Sequence, residues 1–572
     1  MNYCYILLFC LINFYGIAQT INVNCATTIK NFTTSPVAIN LDYLMDDDSY
    51  LNPSIALEQS LDSMGVKGLR FPGGEKADNY LWSIPPYKTV NPHFATQGNC
   101  NWPNNDSRFS TNYIAPKSTT MDFDEFMVHS QQTNAAPFIV VAGDAHYNTF
   151  CPTTPSLASM VQTAAEWVRY ANLTHSYGIK NWMVGNESWN KAAYDNPSTP
   201  NQYANDFIQF YDAMKAVDPT IKVFANSQSG RWVDTLLKYV GTKIDGIAIS
   251  NYPIYNWASG YETYRVGNPN LVGEVNLVIS SIGSRTIPVI VSEYNTIDFG
   301  TSGWTNSNDL GHALLSFQLF GDQIKINKVE AAYFWNTRWV NNSTLPNDLS
   351  DAITSNGNLN ANGKALAIWG KYLLNSFVYA TNDGFVNSFA TLNQTGDKLN
   401  LFLINKDLTN HIVTVNIDYY KEIKNSLLTY DYFQFTGNAV NDILPQFSYP
   451  TNKGVLQDST LTIDLNALSI NAISFSVDIN LSLVKKLIST PTALPIAPSF
   501  KVYPSPTSDF ITIKNESGLI GFTQIKIMSL VGELLLEYRL SPYERKIISM
   551  ECFSPGIYFV TNGIEVFRIE KE

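Results

Sequence analysis

Glu187 and Glu293 are the residues of this chain best placed, by type and context, to do chemistry. Glu187 follows the run Trp182-Met183-Val184-Gly185-Asn186, and Glu293 follows Pro288-Val289-Ile290-Val291-Ser292. A carboxylate at the end of so apolar a strand is disfavoured by propensity and costly to bury. Either Glu alone could be a salt-bridged residue at the rim of a sheet, but the pair fits one reaction. Cleavage of a glycosidic bond needs two carboxyl groups: a protonated one assists the leaving oxygen, and the other attacks the anomeric carbon or activates water. Arg70, in Lys67-Gly68-Leu69-Arg70-Phe71, is a cation able to keep Glu293 ionised, and Tyr252 could donate to the same carboxylate. Asp144 and His146 follow the run Pro137–Val141 and are candidates for polar subsite contacts, although a lone His is more often structural. Trp335, after Ala331–Phe334, is either a platform for a sugar ring or a cap on the core.

These residues need elements to bring them together. From about residue 35 to 370, short β-rich runs alternate with helical patterns, which predicts a parallel α/β architecture. The runs begin near Val37–Leu41 and continue at Lys67, Pro137, Trp182, Lys222, Ile247, Pro288 and Ala331. Leu157–Leu173 and Tyr203–Val217 carry apolar residues at helical spacing between them. About eight strands over this length predict a (β/α)₈ barrel, whose active site lies at the C-terminal ends of its strands. In that count Glu187 ends the fourth strand and Glu293 the seventh. From 376 to 480 strands without helices predict a β-sandwich, with Leu399–Ile404 and His411–Val415 as its clearest members. A Thr/Pro/Ala-rich linker at 481–498 and a small all-β module at 499–572 follow, so the barrel is expected over 19–375.

Composition restricts the partners. With 45% hydrophobic residues the chain can build ample cores, and a net charge of -12 disfavours nucleic acid or an anionic membrane surface. Residues 1–18 read as an export signal, with an apolar run from Tyr5 to Ile17 and a cleavage position after Ala18. No later stretch is apolar enough to predict a membrane span. Cys25, Cys100, Cys151 and Cys552 would remain, without metal-ligand spacing; a Cys100–Cys151 disulfide is open in an oxidising compartment. No metal or cofactor is expected. Gly-x-Ser-x-Gly and His-Glu-x-x-His motifs are both missing, so serine or zinc hydrolysis has no support.

Gly185-Asn186-Glu187 resembles the Asn-Glu signature of the large clan of retaining (β/α)₈-barrel glycoside hydrolases, and Ser292-Glu293-Tyr294-Asn295 falls where that clan places its nucleophile. Within it, Arg70-Phe71-Pro72-Gly73-Gly74 with Trp82, Asn362–Leu366 with Trp369-Gly370, and Leu399–Asp407 resemble the α-L-arabinofuranosidase type. That resemblance covers about residues 35 to 480. It implies an enzyme working by double displacement, with Glu187 as acid/base, Glu293 as nucleophile and Asn186 bound to the sugar 2-hydroxyl. Two departures concern the sugar. The family carries a substrate-binding Glu on its first strand, where this chain has Asn40 and Asp42. It ends its sixth strand in a His-containing motif, where this chain has Ser250-Asn251-Tyr252-Pro253, making Asn251 and Tyr252 candidates for substrate contact.

The C-terminal module, through Lys501–Thr507, Ile525–Glu533 and Pro555–Val560, is similar to the type A sorting domain of the type IX secretion system of Bacteroidota. The resemblance implies export by that machinery, to the medium or the cell surface; the alternative is a small fibronectin-like carbohydrate-binding module. For the barrel, the alternatives are a hydrolase of the same clan acting on β-glucuronides, xylosides or galactans, and a polysaccharide-binding protein without catalysis.

Overall fold

The computed structural model describes residues 19–43, 45–74, 77–78, 80–82, 93–94, 121–147, 155–190, 198–253, 260–267, 269–297, 308–338, 351–420, 428–449, 455–456 and 459–476, and, further on, 500–503, 507, 509–515, 523–529, 534–541, 544–551, 553–562 and 566–571. The export signal, the linker at 481–498, Cys100, Cys151 and Cys552 lie outside the described residues, while Cys25 is a free, buried thiol. The chain divides into two compact units, Met1–Asp478 and Ile479–Glu572.

Eight strands close a barrel in the first unit: Val37–Asn40, Gly68–Phe71, Ala136–Val141, Asn181–Val184, Lys222–Ser227, Gly246–Asn251, Val289–Tyr294 and Val329–Phe334. They are numbered one to eight here. Each pairs in parallel with its neighbours, and strand eight closes on strand one through Ala332, Tyr333 and Phe334. Parallel strands need long crossovers, which the helices supply. Helix Phe123–Gln132 starts in a capping box between Asp122 and Glu125, and helix Pro200–Val217 in another between Thr199 and Gln202. The helical pattern of Leu157–Leu173 forms an α-helix to Val168 and continues as a π-helical segment over Arg169–Thr174. Ala38, Phe138, Val140, Met183, Phe224, Ala248, Ile290 and Tyr333 fill the barrel interior, so its lower part is packed and polar groups gather above.

The expected barrel over 19–375 begins later than that, because Gln19–Asn31 joins the sandwich. This strand pairs antiparallel with Ser376–Ala380 and parallel with His411–Asp418. It is a central member of a mixed ten-stranded sheet. Its alternating Ile21 and Val23 share one core with Leu399, Leu401 and Leu403, with Val413 and Val415, and with Ile473 and Phe475. Strands so far apart in the order can share a core only if the sheet folds over on itself, which makes the region a sandwich. The second unit contains a three-stranded and a four-stranded sheet around Phe500, Ile511, Ile513, Ile525, Ile527 and Val560.

Barrel and sandwich meet over the helices Leu310–Ile324 and Ala361–Tyr372. The first is buried nearly throughout, its polar His312, Ser316, Gln318 and Gln323 included, as a helix enclosed on both sides must be. Trp369 stacks on Phe317 at 4.4 Å, and its ring lies 4.5 Å from that of Phe402 and 5.3 Å from that of Phe389, both on sandwich strands. Its indole N–H donates to the Phe317 carbonyl at 3.0 Å. Lys30 adds a polar peg: its ammonium donates to the carbonyls of Ile324, Ile326 and Val329. Trp369→Ala is expected to cost about 3–5 kcal/mol in urea unfolding of the mature protein, and Trp369→Phe clearly less. A loss for Trp369→Ala below about 1 kcal/mol would show that this aromatic cluster does not hold the two parts together.

Candidate active site

Chain geometry decides which side chains reach the barrel mouth. Ala38 and Asn40 on strand one, and Gly68 and Arg70 on strand two, follow simple alternation, so Asn40 and Arg70 point inward above the packed core. Strand seven departs from it. Ile290 belongs to the interior, so strict alternation would turn Ser292 inward and Glu293 out. The register slips between Val291 and Glu293 against strand six, and between Val291 and Tyr294 against strand eight. An irregularity of this kind re-aims a side chain, and here it turns Glu293 into the mouth.

There Glu293 meets Arg70. The guanidinium is fully buried, and its Nη1 donates to Glu293 Oε1 at 2.9 Å and to Asn40 Oδ1 at 2.7 Å. Nη2 donates to Asn186 Oδ1 at 2.6 Å. Tyr252 donates its hydroxyl to the other carboxylate oxygen, Glu293 Oε2, at 2.8 Å. Burial holds the Tyr252 hydroxyl well above its ordinary pKa, with the nearby charges of Glu293 and Glu187 adding to the effect. It is therefore a fixed donor, within the field of both carboxylates. Asn40 is fully used as a brace, since its Nδ2 faces the carbonyls of Ser292, Tyr333 and Phe334 at 3.0–3.3 Å.

Glu187 lies beyond strand four on a tight turn, with Gly185 at φ 69° and Glu187 itself at φ 42°. The left-handed backbone at a non-glycine residue costs on the order of 1–2 kcal/mol and has to be imposed by its surroundings. The surroundings are dense. The Asp78 carboxylate accepts the Asn186 N–H at 2.9 and 3.1 Å, Asn226 Oδ1 accepts the Ser188 N–H at 3.1 Å, and Asn226 Nδ2 donates to the Val184 carbonyl at 2.8 Å. Asn190 Nδ2 donates to Glu187 Oε2 at 3.2 Å. Glu187 is half-buried, whereas Glu293 is buried, so the two carboxylates differ in their access to solvent.

The other residues singled out by sequence divide into two groups. Trp335 borders the mouth: a Cβ on Gly74 would come within 2.6 Å of its ring and 3.2 Å of Glu293 Oε1, which is why that position has no room for a side chain. Asn251 is turned away. Its Nδ2 donates to the Leu271 carbonyl at 3.0 Å and lies 3.4 Å from Gln323, toward the surrounding helices. Alternation accounts for this, since Ala248 faces inward and Asn251 is three residues on. Asp144 is buried beneath the Glu187 turn, bonded to Ser188 and Asp78. His146 lies 3.2 Å from Asp206, which Tyr147 also engages, so its ring is held at the barrel wall. Asp78, Asn190 and Asn226 were not legible as site residues; Asp78 stands eight positions after Arg70, beyond the end of strand two, a signal that spacing alone does not decode. Among the described residues no group of three His, Cys, Asp or Glu side chains is arranged as metal ligands.

Residues 60–266 match the family model of the alpha-L-arabinofuranosidase 1 domain, and residues 501–566 that of the secretion system C-terminal sorting domain. The second match marks the chain for export to the cell surface or beyond. The chain is similar to an intracellular exo-alpha-L-arabinofuranosidase of Bacteroides ovatus, 26% identical over 222 residues, which are 35% of this chain and 37% of that protein. It is also similar to a probable alpha-L-arabinofuranosidase C of Aspergillus clavatus, 24% identical over 189 residues, which are 30% of this chain and 32% of the relative. The matched segment thus spans about a third of each curated relative. Among solved structures, the GH51 alpha-L-arabinofuranosidase of Thermotoga petrophila superposes with a TM-score of 0.59 at 17% identity, over 80% of this chain and 99% of its own. The bifunctional glucanase-xylanase CelM2, from a metagenome library, gives a TM-score of 0.53 at 15% identity, over 81% and 99%. At these identities the likeness establishes the fold, which enzymes of differing substrates share.

Asp78 and Asp144 are in contact and buried. Burial raises both, Asp144 to about 7, so Asp144 keeps its proton in the folded chain well above the ordinary carboxylate range. The folded chain then binds a proton more tightly than the unfolded chain, whose Asp titrates near 3.8. That contribution to stability is complete below about pH 4 and is lost as pH rises to about 7. Asp144→Asn should therefore make the melting temperature fall less steeply between these pH values than in the parent; equal slopes would show that Asp144 binds no extra proton on folding.

Proposed function

We propose that this chain is a secreted retaining glycoside hydrolase of the α-L-arabinofuranosidase kind, acting on oligo- or polysaccharides by double displacement. The observation that carries it is the Arg70 hub, which ties Glu293 to Asn186 while Tyr252 holds the other Glu293 oxygen. In this reading Arg70 pairs with and orients the Glu293 carboxylate, which attacks the anomeric carbon. Glu187, on the more open side, gives its proton to the departing oxygen and later takes one from the attacking water. Asn186 has its Oδ1 committed to Arg70, which turns its side-chain amide N–H groups to the sugar 2-hydroxyl. Trp335 forms an apolar wall beside the sugar.

The sugar itself is less constrained. Asn40 and Asp42 stand where the resemblance expects a substrate-binding Glu, and the Asn40 amide is spent on Arg70 and strand carbonyls. That favours keeping xylosides, galactans and β-glucuronides beside arabinofuranosides. The C-terminal module supports export by the type IX secretion machinery, with removal of the module on passage.

Three measurements test this. On a panel of aryl glycosides, Glu187→Ala and Glu293→Ala should each lower kcat/KM by at least about 10²–10⁴-fold for the sugar accepted by the parent. Azide should restore turnover in the Glu187 variant with an activated leaving group, giving the retained glycosyl azide. Activity that survives both substitutions would overturn the assignment. Truncation before residue 499 should leave an active enzyme inside the producing cell; undiminished release would remove the sorting role.

A further inference from the structure

A groove of about 770 Å³ opens on the sandwich, where the strand Gln19–Asn31 changes partners. Its parallel pairing with His411–Asp418 ends at Asn24, and its antiparallel pairing with Ser376–Ala380 is irregular between Asn24 and Lys30. The two neighbours diverge there, and the turn Asn393–Gly396 forms the opposite wall. This place is remote from the carboxylates. Lys30, next to the groove, reaches the carbonyl of Val329, the first residue of strand eight, whose far end carries Trp335. A six-residue strand puts about 17 Å between those ends.

The groove's chemistry is specific in kind. Asp, Glu, Lys, Arg and His are all missing from its lining. The Cys25 thiol is held neutral, burial pushing it up to about 12. Amides and hydroxyls predominate, and the side chains of Thr28, Thr33, Asn375 and Gln394 are left to bond with what enters. Aromatic faces accompany them. Tyr420 is buried and anchored by its hydroxyl on the Asp397 carbonyl at 2.6 Å, while the adjacent Tyr419 is 74% exposed at φ 60°. A tyrosine held in left-handed backbone, with its ring standing in water beside a polar groove, is an arrangement that packing does not explain.

We propose that this groove binds a neutral saccharide chain, with Tyr419 as the stacking platform and the surrounding amides meeting ring hydroxyls. Its volume lies in the range of ligand clefts. A nucleic acid or an acidic chain would find no cation in the lining. A peptide adding itself as a strand would find past Asn24 only an irregular edge, where the register with Ser376–Ala380 shifts twice. The groove would hold polymer to the enzyme without taking part in the reaction. It therefore stands or falls apart from the activity proposed for the barrel.

Affinity electrophoresis of the mature protein through gels containing linear arabinan, arabinoxylan, xyloglucan or galactan tests this. Glu293→Gln serves as the parent, so that no polymer is consumed. At least one polymer should retard that protein, and adding Tyr419→Ala or Gln394→Ala should weaken the retardation several-fold. The same two changes in the wild-type background should leave turnover of small aryl glycosides as it was, which also shows that the variants fold. Retardation unchanged by both substitutions, or by none of the four polymers, overturns the site. Retardation that is Tyr419-dependent in a protein without glycosidase activity would uphold the groove and overturn the barrel's assignment instead.

Discussion

The buried guanidinium of Arg70 is the constraint around which the barrel mouth is arranged. A positive charge withdrawn from water must be compensated locally, because desolvation penalises it heavily. One carboxylate and two amide oxygens do this, contributed by strand seven, strand one and the loop after strand four. The same bonds settle the positions of the partners. Asn40 cannot turn without losing Arg70, Glu293 is aligned along one side of the guanidinium, and Asn186 brings the Glu187 turn with it.

A hub of this kind needs a rigid frame, and the frame is distributed over elements far apart in the chain. The turn bearing Glu187 holds its left-handed backbone because Asp78 and Asn226 satisfy its polar groups, Asn226 bonding both the N–H and the hydroxyl of Ser188. The barrel is in turn clasped by the sandwich, through the Trp369 cluster and through Lys30, whose strand precedes the barrel in sequence yet belongs to the other layer. Strand pairing from residue 19 to residue 418 thus closes the two parts on each other, so the sandwich is part of what keeps the barrel in shape.

Periodic features were legible in the sequence and aperiodic ones were not. All eight barrel strands lie where apolar runs of four to six residues end in polar ones, and the helices Leu157–Val168 and Pro200–Val217 follow their apolar spacing. Arg70, Tyr252 and Trp335 could be placed at the mouth because each ends or follows such a run. Asn251 could not be separated from them, since the next residue along a strand has the same composition signal and the opposite direction. Asp144 and His146 likewise end a strand, but one supports the Glu187 turn from below and the other is tied to Asp206. Asp78 and Asn226 have no run to announce them, and their partners come from other strands.

Sequence alone determined the order of elements, the closure of a parallel barrel and the sandwich after it, because each rests on local periodicity. Tertiary structure decided direction and partnership. The register slip that turns Glu293 inward, the outward turn of Asn251 and the joining of Gln19–Asn31 to strands nearly 400 residues away all depend on hydrogen bonds between distant strands. Such bonds are set by the pairing of the whole sheet, and residue order within a single strand does not encode them.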